Sequence, residues 1–546
     1  MFSKKIVQLA LTLSQVAIGL ASTLGNTTEC TADTFTYPTD QLSGTSSLGI
    51  TAAPVFNYTA ISVIPGTTVG ASFTVDFCNV TVTYTHPGWN DTIHSTVWLP
   101  AQDNWNGRLQ ALGGGGYSAS FGALYTTQAV AKGYIAIDTD AGHVKGDAPS
   151  LVPNTWALTS PGNVNLYLLE DWGSRSLHEM AVVGKAVTEA FYGAEPVYSY
   201  FSGCSGGGRQ ALEIAQKYPE DFDGIIAAAP ALNLENFIPA GYWTAQVMRD
   251  LNTYPPACEI DAFTEAAIQE CDELDGLQDG IIALPELCAF DPHTVVGQSF
   301  NCSGTMREFT SAGASVVQAA WTGPRSQDGM TGWFGLNKDA SLTSYYAATT
   351  CTSNSTCSAA PLGLFSSWIT YFSAKDPDFD LGNMTDTQFF SYLKQSQDEY
   401  HSIVAAANPD LSGFRAAGGK MISWQGLADE AIPPNGAVAY FQQVQDLDSD
   451  AQSFVRFYQA PGVGHCQTTV GPNPNGAFDQ LVAWVENAVV PETLTAVDTS
   501  GNTRNLCSWP LQQIYVGGNS SDPDSFNCTL AAYPSFAADF PFYDSF

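Results

Sequence analysis

The chain is 546 residues long and carries 53 Asp and Glu against 19 Lys and Arg, a formal charge of −34. A surface of that sign repels phosphate backbones and anionic headgroups, which excludes nucleic acid as a partner. A hydrophobic content of 45% and an aromatic content of 12%, with only 13% charged residues, exclude disorder.

At about 100–200 residues per domain the length fits two to four domains, or one large fold carrying an insertion. Residues 1–22 set Lys4 and Lys5 ahead of a mostly apolar stretch that ends in small residues, the layout of a secretory signal. A membrane anchor is the weaker reading, because Ser14 and Gln15 break an already short apolar run. No later segment has about 20 apolar residues in succession, so no membrane partner is expected. Nine Asn-X-Ser/Thr sequons, at Asn26, Asn57, Asn79, Asn90, Asn301, Asn354, Asn383, Asn519 and Asn527, agree with a secreted, extracellular glycoprotein. Twelve cysteines fit six disulfides in an oxidising compartment. A zinc site built on them is a weaker reading, since no CxxC pair is present. Local spacing suggests Cys30–Cys78, Cys271–Cys288, Cys351–Cys357 and Cys507–Cys528, without fixing connectivity. Cys258 and Cys302 are counted among the bridged cysteines with no partner assigned.

Residues 23–75, rich in Thr, Ser, Gly and Val, give only weak strand signals. Short β-branched or apolar runs then predict strands at Val80–Tyr84, Ser95–Leu99, Leu109–Leu112, Tyr134–Asp138, Val197–Phe201 and Gly224–Ala229. Helical spacing predicts Ser174–Tyr192, through Leu177, Met180, Ala181, Val183, Val187 and Phe191, and Gly208–Tyr218. The alternation stops at about 235 and resumes near 416, with strands Lys420–Gln425 and Phe454–Gln459 and a helix Ala477–Val489. The economical reading is one α/β core of mostly parallel strands, split by an insertion over the sheet's carboxyl edge, where ligands bind in such sheets. The division is then a signal over 1–22, core over 23–234, insertion over 235–415, and core with a tail over 416–546.

The strand ending at Phe201 runs into Ser202-Gly203-Cys204-Ser205-Gly206-Gly207-Gly208 and then a helix. Gly203-x-Ser205-x-Gly207 in a strand–turn–helix context is a nucleophile-elbow pattern. A lone serine is a weak nucleophile, so it needs a base and an orienting acid, which follow in the order Ser, Asp or Glu, His. His293 and His401 fall in the insertion. His465 stands in a glycine-punctuated loop just after a strand and is the expected base. Asp429 is favoured over Glu430 as the acid, because it follows a Gly-containing turn and has the shorter side chain. Cys204 precedes the serine and Cys466 follows the histidine. If Ser205 and His465 meet, these two cysteines come within the roughly 4.4–6.8 Å Cα separation of a disulfide.

Cys204-Ser205, Asp429 and His465-Cys466 resemble the Cys-Ser, Asp, His-Cys arrangement of the tannase/feruloyl esterase family, in its fungal feruloyl esterase B-like form. The likeness extends through Gly107–Tyr117, Ser176-Leu177-His178-Glu179, the acidic loop at 271–281 and Cys507-Ser508-Trp509-Pro510. It implies an α/β-hydrolase core with a large inserted lid, and hydrolysis of esters of aromatic acids such as ferulic, p-coumaric or gallic acid. Oxyanion donors are expected from the Gly206 amide and from the run Gly113–Gly116, with Gly115 or Gly116 favoured. By composition alone the loop from Cys271 to Ile281 is an acidic solvated turn. The resemblance instead implies one structural Ca²⁺, held by the side chains of Asp272, Asp275 and Asp279 and by the carbonyls of Leu277 and Ile281.

The expected function is thus a secreted serine esterase that cleaves hydroxycinnamoyl (feruloyl) esters of plant cell-wall polysaccharides through an acyl-enzyme. A tannase acting on galloyl esters is the nearest alternative. The absence of an adjacent Lys/Arg pair in the mature chain tilts against it, because some tannases are cut at such sites. A catalytically silent phenolic- or carbohydrate-binding homologue is the other. Trp321, Trp333 and Phe334 are expected either to stack on an acyl group or to pack the insertion. Oligomeric state is not legible.

Overall fold

The apolar runs become nine strands: β1 (Ser46–Ser62), β2 (Ala71–Thr85), β3 (Ile93–Pro100), β4 (Arg108–Leu112), β5 (Ile135–Thr139), β6 (Tyr198–Ser205), β7 (Gly224–Pro230), β8 (Lys420–Gly426) and β9 (Val455–Ala460). They form one sheet in the order β1-β2-β3-β5-β4-β6-β7-β8-β9. Strands β1, β2, β3 and β5 pair antiparallel, and every pair from β5 onward is parallel. This is the α/β-hydrolase strand order with β1 added as an outer edge. The computed structural model describes residues 29–62, 71–143, 150–326, 329–352, 357–466 and 470–530. The signal segment 1–22 and the sequons at Asn26 and Asn354 lie outside the described residues.

Helices cover both faces. On one face α2 (Ser176–Tyr192), α3 (Gly206–Lys217) and α4 (Pro434–Leu447) pack through Val183, Leu212 and Phe441 against Val82, Ile137, Ile225 and Ala227. On the other, α1 (Ala123–Ala131) and α5 (Ala477–Asn487) pack through Tyr125, Phe478 and Trp484 against Tyr200, Ile226 and Ala228. Alternate residues of β7 thus serve opposite cores, and all of β7 is buried, which is why its sequence reads as an unbroken apolar run. Of the long β1–β2 hairpin the sequence showed only Val80–Tyr84 in β2; β1 left little trace because it is exposed along most of its length and carries no buried stripe. Helix α2 begins at Ser176, two residues later than predicted, because Asp171–Arg175 forms a wider π-helical turn ahead of it.

Between β7 and β8, which are neighbours in the sheet, the chain leaves at Pro230 and returns at Lys420. The excursion contains helices Leu234–Ala240, Trp243–Asp250, Ala257–Cys271, Ser311–Thr322, Gly363–Trp368 and Asp386–Val404. Its apolar residues, Phe365, Trp368 and Tyr400 among them, form one cluster with Tyr117, Trp156, Trp172, Ala431 and Ile432 of the core. Trp321, Trp333 and Phe334 are buried in that cluster. Six disulfides pair Cys30–Cys78, Cys204–Cys466, Cys258–Cys302, Cys271–Cys288, Cys351–Cys357 and Cys507–Cys528. Among the described residues no helix is long and apolar enough to cross a membrane.

Candidate active site

Strand β6 turns into α3 at Ser205, whose backbone sits at φ 64° and ψ −123°, a strained region that lifts the hydroxyl clear of the sheet edge. Crossing this tightly leaves no room for side chains nearby. A Cβ on Gly203 would lie 2.4 Å from the Gly207 carbonyl, and one on Gly208 would lie 2.4 Å from the Ala228 oxygen.

The loop after β8 is zipped to the loop after β9: Leu427 N–H donates to the Ala460 carbonyl (2.9 Å) and Ala428 N–H to that of Val463 (3.1 Å). This pairing brings Asp429 to His465. Asp429 is fully buried, and its Oδ2 lies 3.0 Å from His465 Nδ1. The same oxygen accepts from Gln425 Nε2 (2.8 Å), while Oδ1 accepts the amides of Ala431 (2.9 Å) and Ile432 (2.8 Å). Four donors on one carboxylate fix its orientation. Burial pushes the imidazole pKa down, but the Asp429 charge, its hydrogen bond and the charge of Glu430 outweigh that and hold it above 6.5. The Glu430 carboxylate accepts the His465 backbone N–H at 3.0 Å. Cys204 and Cys466 are disulfide-bonded with a Cα separation of 5.9 Å, so the serine turn and the histidine loop are covalently joined one residue from each side chain.

Ser205 and His465 line a single cavity of about 200 Å³, together with Gly116 and Gly206. The rest of its wall is Leu151, Ala231, Leu234, Phe237, Ile238, Tyr345, Leu362, Leu364, Phe365, Ala431 and Ile432. Apart from Ser205 and His465, Tyr345 is the polar side chain in that set. Of the two glycines favoured as oxyanion donors, Gly115 gives its N–H to the Ser118 carbonyl (3.0 Å), which leaves Gly116 the better placed. Gly116 also packs on Gly206: a Cβ on Gly206 would lie 3.2 Å from the Gly116 oxygen. Gln210 of α3 braces the run by accepting from Gly114 N–H (3.0 Å) and donating to the Ala119 carbonyl (3.1 Å). A larger, open groove of about 840 Å³ between Arg325 and helix Asp386–Val404 contains none of these residues.

In the acidic loop, Asp272 accepts the amides of Asp279 (3.1 Å), Gly280 (2.9 Å) and Ile281 (3.3 Å), and Asp275 accepts that of Leu277 (3.1 Å). Asp279 Oδ2 pairs with Arg504 at 2.9 Å, whereas its Oδ1 is buried without a hydrogen-bond partner. Burial, with the charges of Asp279 and Asp272 adding to it, pushes the Asp275 carboxyl up to about 6. Asp272 and Asp275 are buried and Asp279 is half-buried with one orphaned oxygen, and hard oxygen donors of this kind fit a Ca²⁺ ion.

Sequence reasoning missed Gln425, Gln210, Tyr345 and the role of Glu430. Gln425 had a local signal four residues before Asp429; the others become meaningful only through contacts across the fold.

A family model described as tannase and feruloyl esterase matches residues 78–529. A probable feruloyl esterase from Arthroderma benhamiae is 42% identical over 466 residues, covering 83% of this chain and 86% of that one. A tannase from Aspergillus oryzae is 28% identical, covering 89% and 91%. Among solved structures, tannin acyl hydrolase from Aspergillus niger superposes with a TM-score of 0.82 at 27% identity, over 92% of this chain and 95% of that one. Feruloyl esterase B from Aspergillus oryzae gives 0.74 at 25% identity, over 89% and 97%. Fold and relatives together define an α/β-hydrolase that cleaves carboxylic esters. Within that class, the chain belongs to the tannase and feruloyl esterase family.

Proposed function

We propose that the protein is a secreted serine esterase acting on hydroxycinnamoyl esters of the plant cell wall, with Ser205, His465 and Asp429 as its triad. The observation that carries the reading is the apolar cavity with Ser205, His465, Gly116 and Gly206 on one wall. His465, held by Asp429 through Nδ1, accepts the Ser205 hydroxyl proton on Nε2 as the serine attacks the ester carbonyl. The Gly206 and Gly116 amides stabilise the oxyanion. His465 then protonates the leaving alcohol, and water releases the aromatic acid by the same route. Ca²⁺ would be held by Asp272, Asp275 and Asp279 and the carbonyls of Leu277 and Ile281. Its contribution is to cross-link that loop, and no step of hydrolysis passes through it. Six disulfides support an extracellular setting.

The close superposition on tannin acyl hydrolase favours galloyl esters as a second reading. The cavity wall argues the other way. A galloyl ring would bury three hydroxyls against Leu, Ile and Phe, and each one left unpaired costs about 1–3 kcal/mol. Ser205→Ala should lower kcat by about 10⁴-fold or more with the fold intact, and should abolish labelling by a fluorophosphonate probe. Retention of a tenth of the activity would remove the serine from its role. Across methyl esters, kcat/KM should fall in the order p-coumarate or ferulate, then caffeate, then gallate. A preference for gallate would establish the second reading instead.

A further inference from the structure

The turn between β2 and β3 carries a second group of chemistry-bearing side chains that the esterase reading does not use. His86 follows β2 directly, and its Nδ1 lies 2.6 Å from Asp91 Oδ2 and 3.9 Å from Asp171 Oδ1. All three residues are buried, and one ligand atom from each falls within 4.8 Å of the others. Asp91 is aimed by its other oxygen, which accepts from the Thr85 hydroxyl (2.7 Å) and the His86 amide (2.9 Å). On the far side of the ring, Nε2 is 2.8 Å from Glu179 Oε1, and Tyr84 donates to Glu179 Oε2 at 2.9 Å.

Asp171 stands apart. It is fully buried, and neither carboxylate oxygen has a hydrogen-bond partner. Three carboxylates surround one imidazole, and the nearby Arg175 is engaged by Glu170 and the Trp89 ring. A buried carboxylate with no hydrogen bond needs a cation or a proton. Metal-binding histidines characteristically give their second nitrogen to a carboxylate, as His86 does to Glu179. Trp89, half-buried, stacks on the His86 ring at 4.5 Å.

We infer that His86 Nδ1, Asp91 and Asp171 form a structural site for a divalent transition-metal ion of the zinc type, with water completing its shell. One imidazole nitrogen beside two carboxylates suits zinc better than calcium, which takes oxygen ligands. Binding displaces the proton on His86 Nδ1 and opens the short His86–Asp91 contact. The site is independent of the acidic loop and of Ser205, so its test does not read hydrolysis.

Full-length protein stripped with chelator and dialysed should bind one Zn²⁺ in calorimetric titration, with a rise in Tm. Asp171→Asn should weaken binding by ~100-fold or more and Glu179→Gln by ~10-fold, whereas Asp275→Asn should leave it unchanged. Should Asp171→Asn fail to fold, Co²⁺ loading of the wild type reads the site directly through visible d–d absorption. Equal binding by Asp171→Asn and wild type, no uptake by the wild type, or a featureless Co²⁺ spectrum would overturn the site and leave an imidazolium bridged by carboxylates.

Discussion

Asp429 accepts four hydrogen bonds, and only one comes from the histidine it faces. The other three hold the carboxylate still, so that the imidazole has one orientation and one tautomer. Glu430 acts on the same ring from the other end, through the His465 amide and through its charge. A base must be neutral to accept a proton, so kcat/KM should fall as pH drops through the His465 pKa, which lies above 6.5. Glu430→Gln removes one of the charges that raise that value, and the acid limb should therefore move to lower pH with little change in the plateau. An unmoved limb would separate Glu430 from the base. Ser205, Asp429 and His465, the proposed triad, could be singled out in sequence because each stands at or just after a strand end in a readable motif. Gln210 and Tyr345 could not, because their neighbours come from segments far away in the chain.

The decisive element is the β6–α3 turn, whose glycines press on Gly207 and Ala228, and the decisive link is the bridge from it to the loop after β9. Cys204–Cys466 joins residues 262 apart in sequence. In chain-entropy terms, closing so long a loop contributes about 5 kcal/mol, less any strain. The Cys204→Ala/Cys466→Ala double variant should melt at a clearly lower temperature, and its kcat should fall further than stability alone explains, because the histidine loop loses its anchor. Unchanged kcat at a temperature where the variant is folded would show that the Leu427–Ala460 and Ala428–Val463 bonds suffice. At this scale the strands of the central sheet from β3 onward were readable to within a residue or two, except that β6 runs on to Ser205, four residues past its predicted end. Strand β1 was not, since a mostly exposed edge strand lacks the buried stripe on which periodicity depends; helices α1 and α4 were also missed.

Across the whole molecule, the excursion between β7 and β8 supplies Leu234, Phe237, Ile238, Tyr345 and Phe365 to the cavity, so the shape of that cavity depends on how the excursion is held. The acidic loop is tied to it by Cys271–Cys288 and to the C-terminal strands by Asp279–Arg504. Chelation of calcium should lower Tm by several degrees, since a ligand at 100 times its Kd stabilises by about 2.7 kcal/mol, and Asp275→Asn should remove the response to added Ca²⁺. A Tm indifferent to both would discard the ion.

The sequence alone determined the class of fold, the glycine turn and the chain order of the three residues proposed as serine, acid and base, because these rest on local periodicity and on backbone demands that only certain residues meet. Only the tertiary structure decided which glycine amide is free, that Glu430 braces the histidine, that the cavity is apolar, and that His86, Asp91, Asp171 and Glu179 meet. Hydrogen-bond partners, burial and shared charge are properties of residues brought together from distant segments, and no spacing along the chain encodes them.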